Sequence, residues 1–170
     1  MAKRELMYVS KIPWEGWCFV LLSSGRGIRL IDLHGTSLSE LSERLGVEIV
    51  QGGTKTAAVN QDPARQEIEE YLNGDRKSFS SPLDMRGTSF QIEVWNELLN
   101  IPYGETRSYG EIAAAVGRPR AARAIGAAVG ANPLPIIVPC HRVIGKNGSL
   151  VGFGGGLRLK ERLLLLEKGA

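Results

Sequence analysis

The chain has 170 residues, of which 43% are hydrophobic and 23% are charged, so it can bury a real core in one domain or two small ones. No apolar run reaches the ~20 residues of a membrane-spanning helix, no secretory signal is evident, and two cysteines are too few for a disulfide framework. This composition excludes disordered, fibrous and disulfide-stapled proteins. We expect a monomeric cytoplasmic protein with no membrane partner.

The net charge of +3 hides an asymmetry between the two halves of the chain. Residues 1–85 carry 10 basic and 12 acidic side chains, whereas residues 86–170 carry 11 and 6. No acidic residue lies between Glu111 and Glu161, and that stretch contains Arg118, Arg120, Arg123, Arg142, Lys146, Arg158 and Lys160. Such a stretch favours a polyanion, because phosphate contacts release condensed counterions. On charge alone, a solvated basic face is an equally good interpretation.

The first half of the chain has the pattern of strands followed by helices. Two apolar stretches, residues 17–22 and 27–33, predict strands. A capping-box pattern at Ser37 predicts a helix that ends at Gly46. The Asp-Pro pair at residues 62–63 predicts the start of a further helix, because proline suits the first helical position.

The second half of the chain is predicted to be mainly helical, and a polar, proline-containing stretch precedes it. We place an α/β domain at residues 1–80, a linker at residues 81–87 and a mainly α domain at residues 88–170. Capping-box patterns at Thr88 and Ser108 each predict the start of a helix in this second domain.

Two short predicted helices then follow each other closely. The Ala-rich helix that begins at Ser108 ends near Val116, and a turn at residues 117–119 separates it from a helix over residues 120–129. This arrangement is the outline of a helix-turn-helix. An ordinary helical hairpin has the same outline, so the pattern alone does not decide between them.

Three prolines and an apolar triplet precede the second cysteine. Residues 133–139 contain Pro133, Pro135 and Pro139, so we predict an extended buried segment that presents Cys140 and His141. A glycine-rich loop, residues 145–156, follows. A closing helix over residues 157–168 is predicted to turn its four successive leucines inward.

Cys140 is the candidate nucleophile of this half. A free thiol has a pKa of about 8.5, so a neighbouring base is needed to raise the thiolate population at neutral pH. His141 is adjacent and can take the proton through a water, and Glu167 is the acid available to orient an imidazole. This pair predicts a thiol pKa below the free value. The alternative is a small buried hydrophobic side chain without chemistry.

The segment Pro139-Cys140-His141-Arg142-Val143 resembles the signature of the O6-alkylguanine-DNA alkyltransferases, which repair DNA by direct reversal. The resemblance covers roughly residues 88–168 and includes the spacing of several further features: Tyr109, the helix over residues 120–130, Asn132-Pro133, Gly154-Gly155-Gly156-Leu157 and Glu167. The first half resembles the family loosely, in length and in the order of its strands and helices. A ribonuclease H-like N-terminal domain is implied.

The resemblance implies transfer of an alkyl group from O6 of guanine, less readily from O4 of thymine, to Cys140 without a cofactor. The thioether is stable, so each chain reacts once. His141 is implied as the base acting through water and Glu167 as its orienting partner. Asn132 is implied to hold the turn before the cysteine, and Tyr109 to crowd the target phosphate and donate a proton to guanine.

The implied partner is double-stranded DNA carrying O6-alkylguanine, bound through its minor groove with the damaged base flipped out. Arg123 is implied as the finger that fills the vacated stack. Small residues let the helix approach the groove closely, and those implied in DNA contact are Ala122, Ala124 and Gly126. The implied substrate pocket consists of Val143, Pro135, Phe153, Gly154 and Gly155. Singly, the small residues are also explained by helix packing, Arg123 by a surface cation and Tyr109 by an aromatic residue at a helix start.

Two departures from the family pattern stand out. Some members bind a structural zinc through two cysteines and two histidines, whereas residues 1–85 contain only Cys18 and His34, so we expect no such metal. Position 154 is glycine where some relatives have a hydroxyl residue, which removes a side-chain contact to the substrate and affects the tolerance for bulky adducts.

Two other functions fit parts of the pattern. A non-catalytic helix-turn-helix module would explain the basic stretch, but relatives of that kind replace the cysteine that is present here as Cys140. A hydrolase using Cys140, His141 and Glu167 would explain the nucleophile and leave the basic, acid-free stretch unexplained. Stoichiometry separates the three: one alkyl group per chain, none, or many turnovers.

Overall fold

The computed structural model describes residues 4–51 and 55–169, and the chain divides into two compact units between Met85 and Arg86. No helix in the described residues is long and apolar enough to cross a membrane. The elements of the N-terminal unit are β1 (Glu5–Trp14), β2 (Trp17–Ser24), β3 (Gly27–Asp32), α1 (Leu38–Leu45), β4 (Val47–Gln51) and α2 (Lys55–Leu72).

The four strands form one mixed sheet in the order β3–β2–β1–β4. Strand β4 runs parallel to β1, and the other neighbours are antiparallel. Val20 and Leu22 of β2 pack with Leu41 of α1, while α2 packs against β1, β2 and β3. Residues 19–24 of β2 are all buried, which explains why the apolar side chains at residues 19–22 are continuous rather than alternating.

The helix boundaries confirm one sequence prediction and correct another. Helix α1 is capped by the Ser37 side chain, which accepts from the Glu40 N–H at 3.3 Å, and it ends at Gly46 in the left-handed conformation with φ 64°. The predicted start of the next helix at residues 62–63 is wrong, because helical backbone begins at Lys55 and Pro63 lies inside α2. Proline removes one N–H from the helix but does not by itself define where the helix starts.

The stretch after α2 is bonded to the sheet of its own unit. The Ile28 N–H donates to the Pro82 carbonyl at 2.9 Å, and the Asp84 N–H donates to the Ile28 carbonyl at 2.8 Å. A Cβ atom at Gly27 would collide with the Pro82 backbone, so this close approach requires glycine. Part of the predicted linker, residues 82–84, is therefore held against β3.

The C-terminal unit is mainly helical, as predicted. Its elements are α3 (Ser89–Leu99), β5 (Arg107–Ser108), α4 (Tyr109–Ala115), α5 (Ala122–Gly130), a 3-10 helix (Cys140–Arg142), β6 (Val143–Ile144) and α6 (Leu157–Glu167). Complete capping boxes at Thr88 and Ser108 begin α3 and α4, which confirms both predicted starts. Helices α4 and α5 pack on each other and on α3, and the Trp95 indole N–H donates to the Ala128 carbonyl at 2.8 Å.

The segment before Cys140 differs from the sequence prediction. Residues 134–138 are buried as expected, but they form turns instead of an extended strand. The Val138 N–H bonds to the Leu134 carbonyl at 2.9 Å, and Ile136 has φ 76°. Prolines forbid a helix here without specifying an extended chain. The 3-10 helix that follows, Cys140–Arg142, is named the Cys140 turn below.

The closing helix α6 also corrects a prediction. Successive helical residues point about 100° apart, so four leucines in a row do not share one face. Leu163 is buried, whereas Leu165 is 43% exposed. The other inward positions of α6 are occupied by Leu159, Lys160 and Glu167. Two of the three are charged, and both face the Cys140 turn or the segments beside it.

Candidate active site

The thiol of Cys140 is buried at the start of the Cys140 turn. The residue is 6% exposed, and its N–H donates to the Val138 carbonyl at 2.7 Å. Asn132 bridges the turn ahead of it: its amide Nδ2 donates to the Val138 carbonyl at 2.8 Å, and its Oδ1 accepts from the Leu134 N–H at 2.9 Å. The backbone that carries the thiol is thus fixed by a side chain six residues before Val138.

His141 and Glu167, 26 residues apart in sequence, meet in the interior of the unit. The His141 Nε2 atom lies 2.7 Å from the Glu167 Oε1 atom, and neither side chain is exposed. Burial is the main cause that lowers the pKa of His141, and the bond to Glu167 opposes it. The imidazole is therefore neutral at pH 7. Its Nε2 carries the proton that the carboxylate accepts, which leaves the lone pair on Nδ1.

Arg142 holds the same carboxylate. Its Nε donates to both oxygens of Glu167 at 3.1 and 2.9 Å, and its Nη2 donates to Oε1 at 2.9 Å. The Gly104 N–H donates to Oε2 at 3.0 Å, and Arg142 Nη1 donates to the Ile101 carbonyl at 2.6 Å. This buried carboxylate is thus paired and fully hydrogen-bonded, the condition under which a buried charge is tolerated.

The predicted low thiol pKa is wrong for the protein without DNA. Burial raises the pKa of Cys140 to about 11, although hydrogen bonding to Asn132 and the charge of Lys160 act in the opposite direction. A thiol with this pKa is only about one ten-thousandth ionised at pH 7. At pH 7 the site therefore holds a neutral imidazole at His141 and a protonated thiol at Cys140, rather than an imidazolium–thiolate pair.

Tyr109 connects the helix-turn-helix to this site. Strand β5 pairs in parallel with β6, which places the start of α4 beside the end of the Cys140 turn. The Tyr109 hydroxyl donates to the Val151 carbonyl at 3.2 Å. Burial raises the pKa of Tyr109, and the negative charge of an ionised Cys140 raises it further, so the phenol keeps its proton.

The outer face of α5 is made of small residues and one cation. Ala122, Arg123 and Ala124 are exposed, while Ile125, Ala128 and Val129 are buried. Gly126 is half-buried, and a Cβ atom there would lie 3.9 Å from the Tyr109 ring. The helix therefore presents little bulk to solvent around the guanidinium of Arg123.

The residues of the predicted substrate pocket fall into two groups. Pro135 and Val143 are buried in the segments on either side of the Cys140 turn. Phe153 and Gly155 are half-buried and Gly154 is exposed, all three in the glycine-rich loop. Among the described residues, no cluster of three or more His, Cys, Asp or Glu side chains is arranged to hold a metal ion.

Two of the seven cations that the charge pattern assigned to a polyanion-binding face are buried instead. Arg142 is 6% exposed and binds Glu167, and Lys160 is fully buried. Arg118 pairs with Glu93 at 3.1 Å.

The burial of Lys160 could have been predicted from the sequence. Residues 160, 163 and 167 follow the i, i+3, i+7 spacing of one helix face, so a lysine with this spacing to Leu163 and Glu167 faces inward.

Comparison with known proteins agrees with this organisation. The family model for the ribonuclease-like domain of 6-O-methylguanine DNA methyltransferase matches residues 7–85, and the model for its DNA binding domain matches residues 89–169. The chain is 44% identical over 172 residues to the inducible methylated-DNA–protein-cysteine methyltransferase of Bacillus subtilis, covering 98% of this chain and 93% of that protein.

Solved structures give the same relationship. The Mycobacterium tuberculosis O6-methylguanine methyltransferase superposes with a TM-score of 0.81 at 41% identity, over 96% of this chain and 93% of that one. The structure of Mycobacterium tuberculosis OGT in complex with DNA superposes with a TM-score of 0.80 at 40% identity, with the same coverage. The predicted α/β domain followed by a helical domain is confirmed. The chain belongs to the methylated-DNA–protein-cysteine methyltransferase family.

Proposed function

We propose that this chain repairs double-stranded DNA by moving an alkyl group from O6 of guanine, and less readily from O4 of thymine, onto the sulfur of Cys140. The observation that carries the proposal is the buried Cys140 thiol beside a His141–Glu167 pair joined at 2.7 Å. Family membership and the DNA-bound relative support DNA as the partner. The thioether product is not hydrolysed, so each chain acts once.

The proposed reaction is a single in-line displacement. The bond between O6 and the alkyl carbon breaks as the bond between the Cys140 sulfur and that carbon forms. The thiol proton passes through a water to Nδ1 of His141, and guanine leaves with a proton donated by Tyr109, which the imidazolium then replaces through solvent. The net change transfers the thiol proton to guanine, so no cofactor is required.

The electrostatics of the site suit proton transfer at the moment of reaction. Because burial raises the pKa of Cys140 to about 11, the thiol stays protonated until a substrate is in place. Glu167 makes His141 a better base, since the carboxylate stabilises the imidazolium as it forms. Arg142 keeps the carboxylate in position for that task through the bonds of its guanidinium.

DNA binding is proposed to use the exposed face of α5. Small residues such as Ala122 and Ala124 permit close approach to a minor groove, and a reader of damage in any sequence does not need base-specific contacts. The target O6 is stacked and paired in a duplex, so the base has to leave the helix. Arg123, exposed on the same face, is the side chain that occupies the vacated stack.

Substitution of the acceptor tests this function. Cys140→Ser is expected to abolish transfer from a duplex containing O6-methylguanine while DNA affinity is kept, because the residue is buried and the change replaces only a sulfur by an oxygen. The matched control is Cys18→Ser, the other and exposed cysteine, which is expected to react like the wild type. Loss of repair in Cys18→Ser, or continued repair in Cys140→Ser, would contradict the proposal.

A further inference from the structure

Lys160 is a fully buried lysine in α6 that the reaction described above does not use. Its Nζ atom donates to three backbone carbonyls: Val143 at 2.5 Å, Val151 at 2.8 Å and Gly152 at 3.2 Å. Three acceptors match the three N–H bonds of an ammonium, whereas a neutral amine has only two. The arrangement therefore fits the charged form of the side chain.

The three carbonyls belong to two different segments of the site. Val143 follows the Cys140 turn directly, while Val151 and Gly152 lie in the glycine-rich loop. Backbone hydrogen bonds within that loop join its own residues, such as the Gly145 N–H to the Ser149 carbonyl at 2.9 Å. Lys160 thus joins the loop to the chain that carries the acceptor thiol.

One of these carbonyls also orients Tyr109. The Val151 oxygen accepts from Lys160 Nζ at 2.8 Å and from the Tyr109 hydroxyl at 3.2 Å. The Tyr109 hydroxyl lies close to the next residue as well, since a Cβ atom at Gly152 would be 3.4 Å from it. Moving the Val151 carbonyl would therefore move the phenol that the proposed reaction uses as proton donor.

Stability alone does not account for a buried ammonium at this position. Removing an amine from water is costly, and replacing buried charged groups by apolar ones of similar size often leaves a fold equally stable or more stable. The cost shows as a pKa of Lys160 that burial lowers to about 8; only an ionised Cys140 thiolate would act to raise it. The titratable groups around the ammonium are Cys140 and His141 in the Cys140 turn and Tyr109 at the start of α4.

We propose that Lys160 is a positioning residue for alkyl transfer: its ammonium fixes the glycine-rich loop and the Tyr109 hydroxyl relative to Cys140. This inference rests on the proposed function of Cys140 as acceptor. Lys160 does not touch the substrate. It acts through the carbonyls of Val151 and Gly152, and through them on the Tyr109 hydroxyl.

The test is a double-mutant cycle between Lys160→Met and Tyr109→Phe, read as the rate of alkylation by free O6-benzylguanine at pH 7. Lys160→Met keeps the apolar stem and is expected to slow the reaction about tenfold or more, the range for lost hydrogen bonds to a charged group. Because Lys160 acts through Tyr109, the double variant is expected to be little slower than the slower single variant. Strictly multiplicative losses would overturn the proposal, since they would show independent action.

A matched control and a second readout separate positioning from folding. Lys168→Met removes an exposed lysine at the C-terminal end of the same helix and is expected to leave the rate unchanged. The wild-type rate is expected to decline above about pH 8 as Lys160 loses its proton, and Lys160→Met to lack that decline. If Lys160→Met does not fold, Lys160→Arg keeps the charge, and its rate is expected not to decline above about pH 8, because a guanidinium does not lose its proton there. A decline like that of the wild type would overturn the proposal.

The outcomes also distinguish this inference from the proposed function. A wild-type chain that accepts no alkyl group would refute the function of Cys140. A wild type that reacts normally, together with a Lys160→Met variant of unchanged rate and pH profile, would refute the role of Lys160 alone.

Discussion

Each unit buries a glutamate that holds a segment of chain, yet the two carboxylates have different partners. In the N-terminal unit, Glu67 accepts from the N–H groups of Ser80 and Ser81 and from the Ser80 hydroxyl. In the C-terminal unit, Glu167 accepts from His141 and Arg142. Neither seryl hydroxyls nor backbone amides titrate near neutral pH, whereas an imidazole can gain or lose a proton in this range.

The two carboxylates differ in whether a partner can take part in a reaction. A buried, hydrogen-bonded carboxylate is an ordinary way to fix a chain segment, and Glu67 does this for the stretch that follows α2. Glu167 fixes a segment in the same way, but its partner His141 is adjacent to a nucleophile. In the proposed reaction, Glu167 differs from Glu67 because its partner His141 accepts a proton beside Cys140, whereas burial and hydrogen bonding are common to both carboxylates.

The largest expected effect comes from removing the charge of Glu167. Glu167→Gln is expected to slow alkylation by free O6-benzylguanine at pH 7 by roughly 10–100-fold, the range for a lost hydrogen bond to a charged group. No rise of the wild-type rate is expected between pH 7 and 8, because burial lowers the pKa of His141 and keeps the base neutral there. The variant rate is expected to rise with pH as hydroxide takes over the deprotonation. The pH–rate profiles of the two proteins check this.

Glu67→Gln is the matched control, since it removes the charge of a buried carboxylate in the other unit. It is expected to lower the stability of the chain by about 1–3 kcal/mol and to leave the pH–rate profile unchanged. Glu167→Gln leaves Arg142 uncompensated and is expected to cost about 3–5 kcal/mol, so thermal unfolding is measured beside the rate. If Glu167→Gln does not fold, Glu167→Asp is used instead, because it keeps the charge while shortening the side chain. If Glu67→Gln and Glu167→Gln changed the pH–rate profile equally, the proposed difference between the two carboxylates would be refuted.

A smaller effect is expected from the exposed face of α5. Arg123→Ala is expected to slow repair of duplex DNA about tenfold more than reaction with free O6-benzylguanine, because only the duplex requires a base to be unstacked at a cost of a few kcal/mol. Arg120→Ala, which removes a nearby exposed cation, is expected to weaken DNA binding without this difference between substrates. If Arg123→Ala slowed the reaction with both substrates equally, Arg123 would not be the side chain that occupies the vacated stack.

The smallest effect concerns the pH dependence of stability. Because burial lowers the pKa of His141 below its unfolded value of about 6.5, the unfolded chain binds the extra proton first as the pH falls. Stability is therefore lost below about pH 6.5, by up to ~1.4 kcal/mol per pH unit. His141→Asn is expected to flatten the fall of Tm between pH 7 and 5.5, and His34→Asn, at an exposed position, is expected not to.

The chain offers a clean reporter for this measurement. It has three tryptophans, so a Trp14→Phe/Trp17→Phe background leaves Trp95 of the C-terminal unit as the single fluorescent indole. Trp95 is 2% exposed, and its emission therefore changes when that unit unfolds. A His141→Asn protein whose Tm keeps the wild-type pH dependence would show that the histidine is not the group responsible.

Local features of the sequence predicted the local features of the fold. The capping boxes at Thr88 and Ser108 determine helix starts through hydrogen bonds within one turn, so a short stretch of sequence is sufficient to find them. The Ser37 cap and the Gly46 end of α1 are of the same kind. The short connection between α4 and α5 is local as well, which is why two successive short helices could be predicted there.

The features that were not predicted from the sequence, the burial of two cations and the raised pKa of the thiol, depend on contacts between distant residues. The charge pattern counted Arg142 and Lys160 as cations for DNA, because a sequence states the sign of a charge but not its burial. Their carbonyl and carboxylate partners lie up to 41 residues away. The prediction of a low pKa for the Cys140 thiol was wrong for the same reason. The sequence shows that Cys140 is adjacent to His141, but it does not show the burial that raises the pKa.

The most direct test of the account is a count of alkyl groups per chain. The wild-type protein is incubated with an excess of duplex DNA carrying O6-methylguanine, and intact mass followed by peptide fragmentation locates the added methyl groups. The account predicts a plateau at one methyl group per chain, carried by Cys140, with one guanine restored for each protein consumed. A methyl group on Cys18, or more guanines restored than there are chains, would contradict it.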